Sequence, residues 1–221
     1  MASHLDLEEQ EQIDQIKSFW SRWGNLITGV ITLILVGFAA WNGWNYWQQR
    51  QATQAAVLFD TFENASKQAD LSLMARSLSD MQDQFPRTTL TAQAALFAAK
   101  TYFDKEKIPE AEKSLEWVVN HAPDEAFVAL ARLRLSALAI EAKDTAKARS
   151  WIEGKTVPAG FQPLFDDRMG DIALIEGKAD EAKARLSSAY KGMDEAAEYR
   201  RLIEIKLATV GVDVTSAEFK K

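Results

Sequence analysis

An uncharged apolar stretch near the start of the chain limits the folds open to this sequence more than any other feature. No charged residue occurs between Arg22 and Arg50, and the residues from Asn25 to Ala40 are almost all apolar. A bilayer core about 30 Å thick requires roughly 20 helical residues to cross it. A helix buried in a soluble core is usually shorter than this. The stretch therefore predicts a transmembrane helix, which we place at residues 23–47.

Tryptophans mark both ends of the predicted span. Five of them cluster there: Trp20, Trp23, Trp41, Trp44 and Trp47. Trp23 and Trp41 are 18 residues apart, which is about 27 Å at the rise of an α-helix. Amphipathic aromatic rings settle at the two membrane–water interfaces. We therefore expect the five rings to lie in contact with membrane lipid at these interfaces, although Trp20 or Trp23 alone would also suit an amphipathic helix outside the membrane.

A cleaved signal peptide is the main alternative to a permanent anchor. Gly37 and Ala39 supply small residues at the spacing of a cleavage site. However, the segment before the apolar stretch is long and acidic, whereas a signal peptide begins with a short basic region. The apolar run is also longer than the usual core of a signal peptide. We therefore expect an anchor that stays attached.

The charges that flank the span bear on its orientation. Lys17 and Arg22 precede it, and Arg50 and Lys67 follow it. Basic residues are enriched on the cytoplasmic side of membrane helices. The slight excess before the span favours a cytoplasmic N-terminus, and a long C-terminal segment can cross the membrane largely regardless of its own charge. Residues 1–22 would then form an acidic cytoplasmic leader.

The composition excludes several classes of function. The formal net charge is -6 and no long basic block occurs, so we expect no nucleic-acid partner. The chain contains no cysteine. This excludes disulfides, thiol catalysis and zinc–thiolate sites, but it does not identify the compartment, because many proteins of oxidising compartments also lack cysteine.

Candidate catalytic groups are few and isolated. The chain has only two histidines, His4 and His121, and no acidic cluster accompanies His121. The GKT sequence at residues 154–156 lacks the earlier glycine and the preceding strand of a phosphate-binding loop. Asp166 and Asp167 fall near the start of a predicted helix, where the helix dipole favours negative charge. We therefore predict that the protein is not an enzyme and has no catalytic, cofactor-binding or metal-binding residues.

The residues after the span are organised as helical repeats. Three segments fit the tetratricopeptide pattern, in which small residues let two helices approach closely. The predicted packing positions are Ala111, Ala148, Gly170 and Ala182. The three alanines are 37 and then 34 residues apart. We expect the three extra residues to lie in the loop GKTVPAGFQP.

The predicted fold class is all-α, with a single N-terminal transmembrane helix followed by a tetratricopeptide-repeat-like α-solenoid. We expect residues 48–91 to form a connecting helix and a degenerate first repeat. Residues 92–194 would form three repeats, and residues 195–221 a C-terminal capping helix and tail. The apolar pattern from Asp194 to Thr209 predicts the capping helix, which a solenoid needs to cover its last open face.

A solenoid of helix pairs offers a concave face that suits peptides or partner domains. Side chains of the first helix in each repeat are candidates for this face: Leu96, Lys100, Phe103, Leu130, Leu133 and Ile140, with Leu164, Asp167 and Asp171 in the third repeat. Several are apolar, which suits unfolded or hydrophobic ligands. The alternative for each of them is packing against the neighbouring repeat.

The leader, the ends of the span and the repeats together carry a family resemblance. The acidic leader EEQEQIDQIKSFW, the Gly24-Asn25 entry to the span, the GWNYW exit and the alanine-rich repeats resemble the YfgM-like ancillary subunits of the bacterial Sec translocon. The resemblance implies an inner-membrane protein with a cytoplasmic N-terminus and a periplasmic repeat domain. It also implies association with Sec channel subunits, with a membrane-anchored periplasmic chaperone of the prolyl-isomerase type, and with exported polypeptides.

Three functions fit these observations. The first is a non-enzymatic accessory factor of the Sec translocon, which links protein export to periplasmic chaperones. The second is a scaffold for envelope assembly that handles no exported chains. The third is a membrane-anchored regulator that sequesters a cytoplasmic signalling protein, through its acidic leader or through the whole chain.

Overall fold

The computed structural model describes the backbone of residues 7–216 and the side chains of residues 12–216. This part of the chain contains no strand, and the predicted all-α fold class is confirmed. Its helices are α1 Leu7–Lys67, α2 Leu71–Gln84, α3 Thr89–Asp104, α4 Ile108–His121, α5 Glu125–Glu141, α6 Thr145–Ile152, α7 Gln162–Ile175, α8 Ala179–Gly192 and α9 Glu198–Thr209, with a short 3₁₀ turn at Ala159–Phe161. The chain divides into two compact units, residues 1–51 and residues 52–221.

The first unit contains the apolar part of α1. Among the described residues, α1 contains the one segment that is long and apolar enough to cross a membrane. Its large apolar side chains are mostly exposed, and Leu33 and Phe38 are 76% and 68% exposed. Two polar side chains within it bond to the helix's own carbonyl groups: Thr32 Oγ1 donates to Thr28 O at 2.8 Å, and Asn42 Nδ2 to Phe38 O at 2.9 Å. These local bonds lower the cost of placing polar groups in hydrocarbon.

The five tryptophans predicted for the membrane interfaces all lie on α1, and their side chains are exposed: Trp20, Trp23, Trp41, Trp44 and Trp47. Trp20 lies over Gly24, where an added Cβ would be 3.2 Å from the indole ring. The rings of Trp44 and Trp47 are 5.4 Å apart at their centroids. Exposed rings near both ends of the apolar segment are the arrangement that suits lipid headgroups.

The second unit is built from helix pairs joined by one recurring turn. Three residues separate α1 from α2, α3 from α4, α5 from α6 and α7 from α8. The middle residue of each turn has a positive φ: Ala69, Glu106, Lys143 and Gly177. The next residue donates its N–H back to the end of the preceding helix, each time at 2.9 Å: Asp70 to Ala65, Lys107 to Tyr102, Asp144 to Ala139 and Lys178 to Ala173. This is the left-handed cap that ends many helices, and its recurrence gives the four connections one geometry.

Small residues allow the paired helices to approach closely. In the structure α3 packs on α4, α5 on α6 and α7 on α8. The predicted packing positions Ala111, Ala148 and Ala182 are 1%, 0% and 0% exposed. At Gly170 an added Cβ would lie 2.7 Å from both Cγ and Cδ2 of Leu186. The helix surfaces therefore meet at these positions with little or no room for a larger side chain.

Three core clusters follow one another along the second unit. The first joins the end of α1 to α2, α3, α4 and α5, and includes Phe62, Met74, Met81, Leu115 and Leu135. The second joins α5, α6 and α7, and includes Ala148, Ile152, Phe165 and Ile172. The third joins α8 and α9, and includes Leu186, Ile203 and Leu207. A series of local cores, each shared between neighbouring helices, is the arrangement of a solenoid.

Two expectations about helix boundaries are wrong. The three extra residues between Ala111 and Ala148 lie in α5, which has 17 residues where α7 has 14. Residues 153–161 instead form a loop after a short second helix. In this repeat α6 has 8 residues, whereas the corresponding helix α4 has 14. The capping helix begins at Glu198 rather than Asp194, because the Asp194 carboxylate accepts a hydrogen bond from the N–H of Ala196 at 2.8 Å and holds a turn.

Replacing Gly170 with alanine should destabilise the second unit by about 1–2 kcal/mol. The gain in helix propensity is about 1 kcal/mol, but the new methyl group would overlap two atoms of the fully buried Leu186 side chain, and overpacking of this kind costs about 2–3 kcal/mol. Gly160→Ala is the control, because nothing lies within 4 Å of its added Cβ. Urea unfolding followed by circular dichroism would measure both. A Gly170→Ala protein as stable as the wild type would contradict the close contact.

Candidate partner-binding surface

A groove lies between α3 and α5, over the start of α4. Its volume is about 340 Å³, and it is lined by Ala99, Lys100, Phe103, Ala111, Leu115, Arg134, Ala137, Leu138 and Glu141. Phe103, Leu115 and Leu138 give it an apolar wall, and charged groups stand among them. A concave apolar site with a few polar groups is the usual form of a binding site.

Two of the nine candidates for the concave face line this groove. Lys100 and Phe103 are exposed and line the groove, as their position on α3 allows. Leu96 and Leu133 are only 6% and 9% exposed and belong to the first and second core clusters. They therefore pack inwards rather than towards a ligand. The physical reason is helical phase, since each lies on the side of its helix that meets a neighbouring helix.

The remaining candidates are partly or fully buried. Leu130 packs on the first core cluster, and Ile140 and Leu164 pack on the second. These three side chains therefore pack against neighbouring repeats, which is the alternative to ligand binding given for each position. Asp167 and Asp171 also face the protein, where they hold a lysine of α9.

The α5 residues that line the groove are not among the candidates predicted from the sequence. Arg134, Ala137, Leu138 and Glu141 follow one another at helical spacing, so they share one face of α5. This spacing is visible in the sequence. The sequence does not show that this face forms a groove wall, because that depends on how α5 packs beside α3.

The guanidinium of Arg134 is held at the side of the groove. Its Nη1 donates to the carbonyl oxygen of Leu96 on α3 at 3.0 Å. The residue is half-buried, and burial lowers the pKa of Arg134 below its ordinary value. At neutral pH it remains a cation, because an unperturbed arginine titrates above pH 12. The groove thus has a fixed positive charge beside an apolar wall.

A buried carboxylate attaches the capping helix α9 to α7. Asp167 is 1% exposed and accepts a hydrogen bond from Tyr199 Oη at 2.7 Å. It also accepts from Lys206 Nζ at 2.9 Å, and this ammonium lies 2.7 Å from Asp171 as well. Burial, and then the hydrogen bond to Asp167, raise the pKa of Tyr199, and burial raises the pKa of Asp171.

Asp166 forms a separate buried contact between α7 and α8. It accepts hydrogen bonds from Arg185 Nη1 at 3.1 Å and Ser188 Oγ at 2.9 Å. The helix-dipole interpretation of Asp166 and Asp167 is therefore incomplete, because both side chains are buried and bond to other helices. Their partners lie 19 to 39 residues further along the chain, beyond the reach of a local pattern.

Ion pairs connect the second helices of successive repeats beside the crossing alanines. Lys147 Nζ lies 2.8 Å from Glu112 Oε1, and Arg149 Nη1 lies 2.9 Å from Glu181 Oε1. Arg149 also bonds to Glu176 at 2.7 Å, and this hydrogen bond is the main cause that lowers the pKa of Glu176 to about 2. Four of these residues, Glu112, Lys147, Arg149 and Glu181, directly precede or follow Ala111, Ala148 or Ala182. Partly exposed pairs contribute little energy individually, but here they favour one register of neighbouring repeats.

Comparisons with known proteins agree with this architecture. The family model described as "Tetratricopeptide repeat-like domain" matches residues 17–212. A protein of Neisseria gonorrhoeae named "Ancillary SecYEG translocon subunit" is 33% identical over 208 residues, which are 94% of this chain and 98% of that protein. A Haemophilus influenzae protein of the same name is 28% identical over 183 residues, 83% of this chain and 89% of the other.

The chain belongs to the YfgM-like family. The matched region covers the span, the helix pairs and α9, so the similarity extends over both units and not only over the repeats. Within this YfgM-like protein, the described residues contain no group of three acidic or histidine side chains placed to hold a metal ion. His121 is exposed and stacks on Trp117 with 4.8 Å between ring centroids, and His4 lies outside the described residues. The groove offers the chemistry of binding: a cation and apolar walls.

Replacing Lys206 with methionine should release α9 and destabilise the protein by roughly 3–5 kcal/mol, because the buried Asp167 carboxylate loses its cation. Hydrogen exchange of the α9 amides and urea unfolding would measure the two effects. Lys113→Met is the control, since Lys113 is exposed on α4. Unchanged protection of α9 in the Lys206 variant would show that the buried contact does not hold the helix.

Proposed function

We propose that this YfgM-like protein is a membrane-anchored, non-enzymatic accessory factor of the Sec translocon, which links protein export to periplasmic chaperones through its repeat domain. The observation that carries the proposal is the combination of one apolar helix of membrane-spanning length with a grooved helical-repeat unit. The alignment with a relative named as an ancillary SecYEG translocon subunit covers 94% of this chain, and so includes both the apolar helix and the repeats. The anchor would keep the repeats at the membrane, where a translocation channel works.

The proposed topology places the leader in the cytoplasm and the repeats in the periplasm of an inner membrane crossed once. Lys17 and Arg22 before the span support this direction. We propose the leader at residues 1–22, the span at 23–47 and the connecting region at 48–91. The three repeats would occupy residues 92–194, and the cap and tail residues 195–221.

The proposed partners are those that the resemblance to the YfgM-like family implies. The span, with its exposed apolar side chains, would contact membrane lipid and Sec channel subunits. The repeats would contact exported polypeptides and a membrane-anchored periplasmic chaperone of the prolyl-isomerase type. Helical-repeat surfaces suit this task because they bind extended segments through many small contacts.

Site-specific photo-crosslinking in cells would test this function. A photoreactive phenylalanine analogue at Leu33 would report on the span, and one at Phe103 on the groove; both side chains are exposed. We expect Leu33 to capture Sec channel subunits and Phe103 to capture exported chains or a periplasmic chaperone. The same analogue at Lys113, exposed on α4 outside the groove, is the control.

Two results would contradict the proposal. Failure of both positions to capture any Sec channel subunit, exported chain or chaperone, in a protein shown to be folded, would exclude the translocon role. Adducts dominated by envelope-building enzymes would favour a scaffold instead.

A further inference from the structure

Arg134 is a cation without a carboxylate partner among the described residues. Its guanidinium carries five N–H donors, and the hydrogen bond from Nη1 to the carbonyl oxygen of Leu96 uses one of them. No described carboxylate lies within 4.0 Å of it, although Glu141 lines the same groove. A half-buried charge that lacks a counter-ion costs free energy, and a bound carboxylate would recover part of it.

The next repeat contains an arginine at the position equivalent to Arg134. Arg168 stands 34 residues after Arg134, and α5 and α7 also end 34 residues apart, so the two arginines occupy equivalent positions. Arg168 lies 4.0 Å from Asp171, three residues further along the helix. The residue at that place in α5 is Ala137, which lines the groove. Ala137 thus places no carboxylate beside Arg134, whereas Asp171 lies 4.0 Å from Arg168 in the following repeat and 2.7 Å from Lys206.

The space beside Arg134 suits an apolar side chain as well as a carboxylate. Phe103, Leu115 and Leu138 form the apolar wall, and the small side chain of Ala137 on α5 leaves room beside them. The volume of about 340 Å³ is at the lower end of the range for ligand sites. It is sufficient for one large side chain and the acidic group next to it, and too small for a folded domain to enter.

The charges that surround the groove restrict the ligand further. Lys100 is paired with Asp104, whereas Arg134 has no carboxylate within 4.0 Å among the described residues. Glu141 lies seven residues, or about 10 Å along the helix, from Arg134 and would repel a second carboxylate there. The pattern fits one acidic side chain within an apolar segment.

We propose that the groove between α3 and α5 binds a segment of a partner protein in which one acidic side chain lies next to a large apolar side chain. The carboxylate pairs with Arg134 in the place that Asp171 occupies beside Arg168, and the apolar side chain enters between Phe103 and Leu138. This inference rests on the proposed function and adds the chemistry of the segment that the repeat domain recognises.

Fluorescence anisotropy with the full chain in lipid nanodiscs would test the inference. The probe is a fluorescein-labelled, C-terminally amidated peptide of sequence GSFDLSG. Its matched controls are GSFNLSG, which removes the charge, and GSSDSSG, which removes the apolar side chains. We expect the first peptide to bind at least tenfold more tightly than either control. Equal binding of the three, or binding that requires a free C-terminal carboxylate, would overturn the inference.

Two substitutions in the protein, with one control, test which groove residues the peptide requires. Arg134→Met removes the cation, and Arg132→Met, on the same helix outside the groove lining, is its control. Ala137→Asp supplies the missing carboxylate from within the chain, in the manner of Asp171 in the next repeat. We expect at least a tenfold loss of peptide affinity for Arg134→Met and Ala137→Asp and no change for Arg132→Met. Full affinity in a folded Ala137→Asp protein would overturn the inference.

The outcome can be separated from that of the proposed function. Capture of Sec channel subunits from Leu33 in the span does not depend on Arg134. If that capture persists while the peptide fails to distinguish its controls, the groove inference is wrong and the translocon role stands. If the peptide binds as expected while no Sec subunit is captured, the groove is a binding site in a protein with another role.

Discussion

Leu186 packs against Gly170 so closely that a methyl group would not fit between α7 and α8. The same constraint recurs at Ala111, Ala148 and Ala182, which are almost completely buried. Close approach fixes the geometry of each helix pair, and the recurring left-handed turn closes the pair at one end. Each helix pair shares a core with the next pair. The geometry of one pair therefore constrains the position of the pair that follows it.

The groove is a consequence of this packing. The small side chain of Ala137 leaves a space between α3 and α5 that a larger side chain would fill. The ion pairs of Glu112, Lys147 and Arg149 lie on the second helices of the repeats, whereas Arg134 lies on a first helix. The charges that join successive repeats are thus paired, but Arg134 in the groove has no carboxylate within 4.0 Å in the part of the chain that the structure describes.

The sequence predicts the helical class and the small packing residues well, because both depend on short-range periodicity. It predicts the boundaries less well, since only one of the four left-handed turns contains glycine. Ala69, Glu106 and Lys143 adopt the left-handed backbone conformation, which costs about 1–2 kcal/mol. These residue types do not favour it, so the sequence does not predict the turns. The cost is offset by the repeated capping bonds.

The candidate site was the least predictable part, because it depends on contacts between distant residues. Leu96 and Leu133 could be assigned to the core, and Arg134 to the groove, only after α3 and α5 were placed side by side. Asp167 similarly finds its partners 32 and 39 residues further along the chain. A helix-dipole interpretation of the Asp167 position considers local charge alone, and it does not anticipate a buried carboxylate that holds the capping helix.

The proposed role requires the repeats and the leader to lie on opposite sides of the membrane, with the repeats in the periplasm. The absence of cysteine makes this measurable with single-cysteine variants, Gln12→Cys in the leader and Lys113→Cys on α4, both at exposed positions. Spheroplasts would be treated with a membrane-impermeant maleimide. We predict labelling of the Lys113 variant at once and of the Gln12 variant only after lysis. Labelling of the Gln12 variant alone would place the repeats in the cytoplasm and contradict the proposed function.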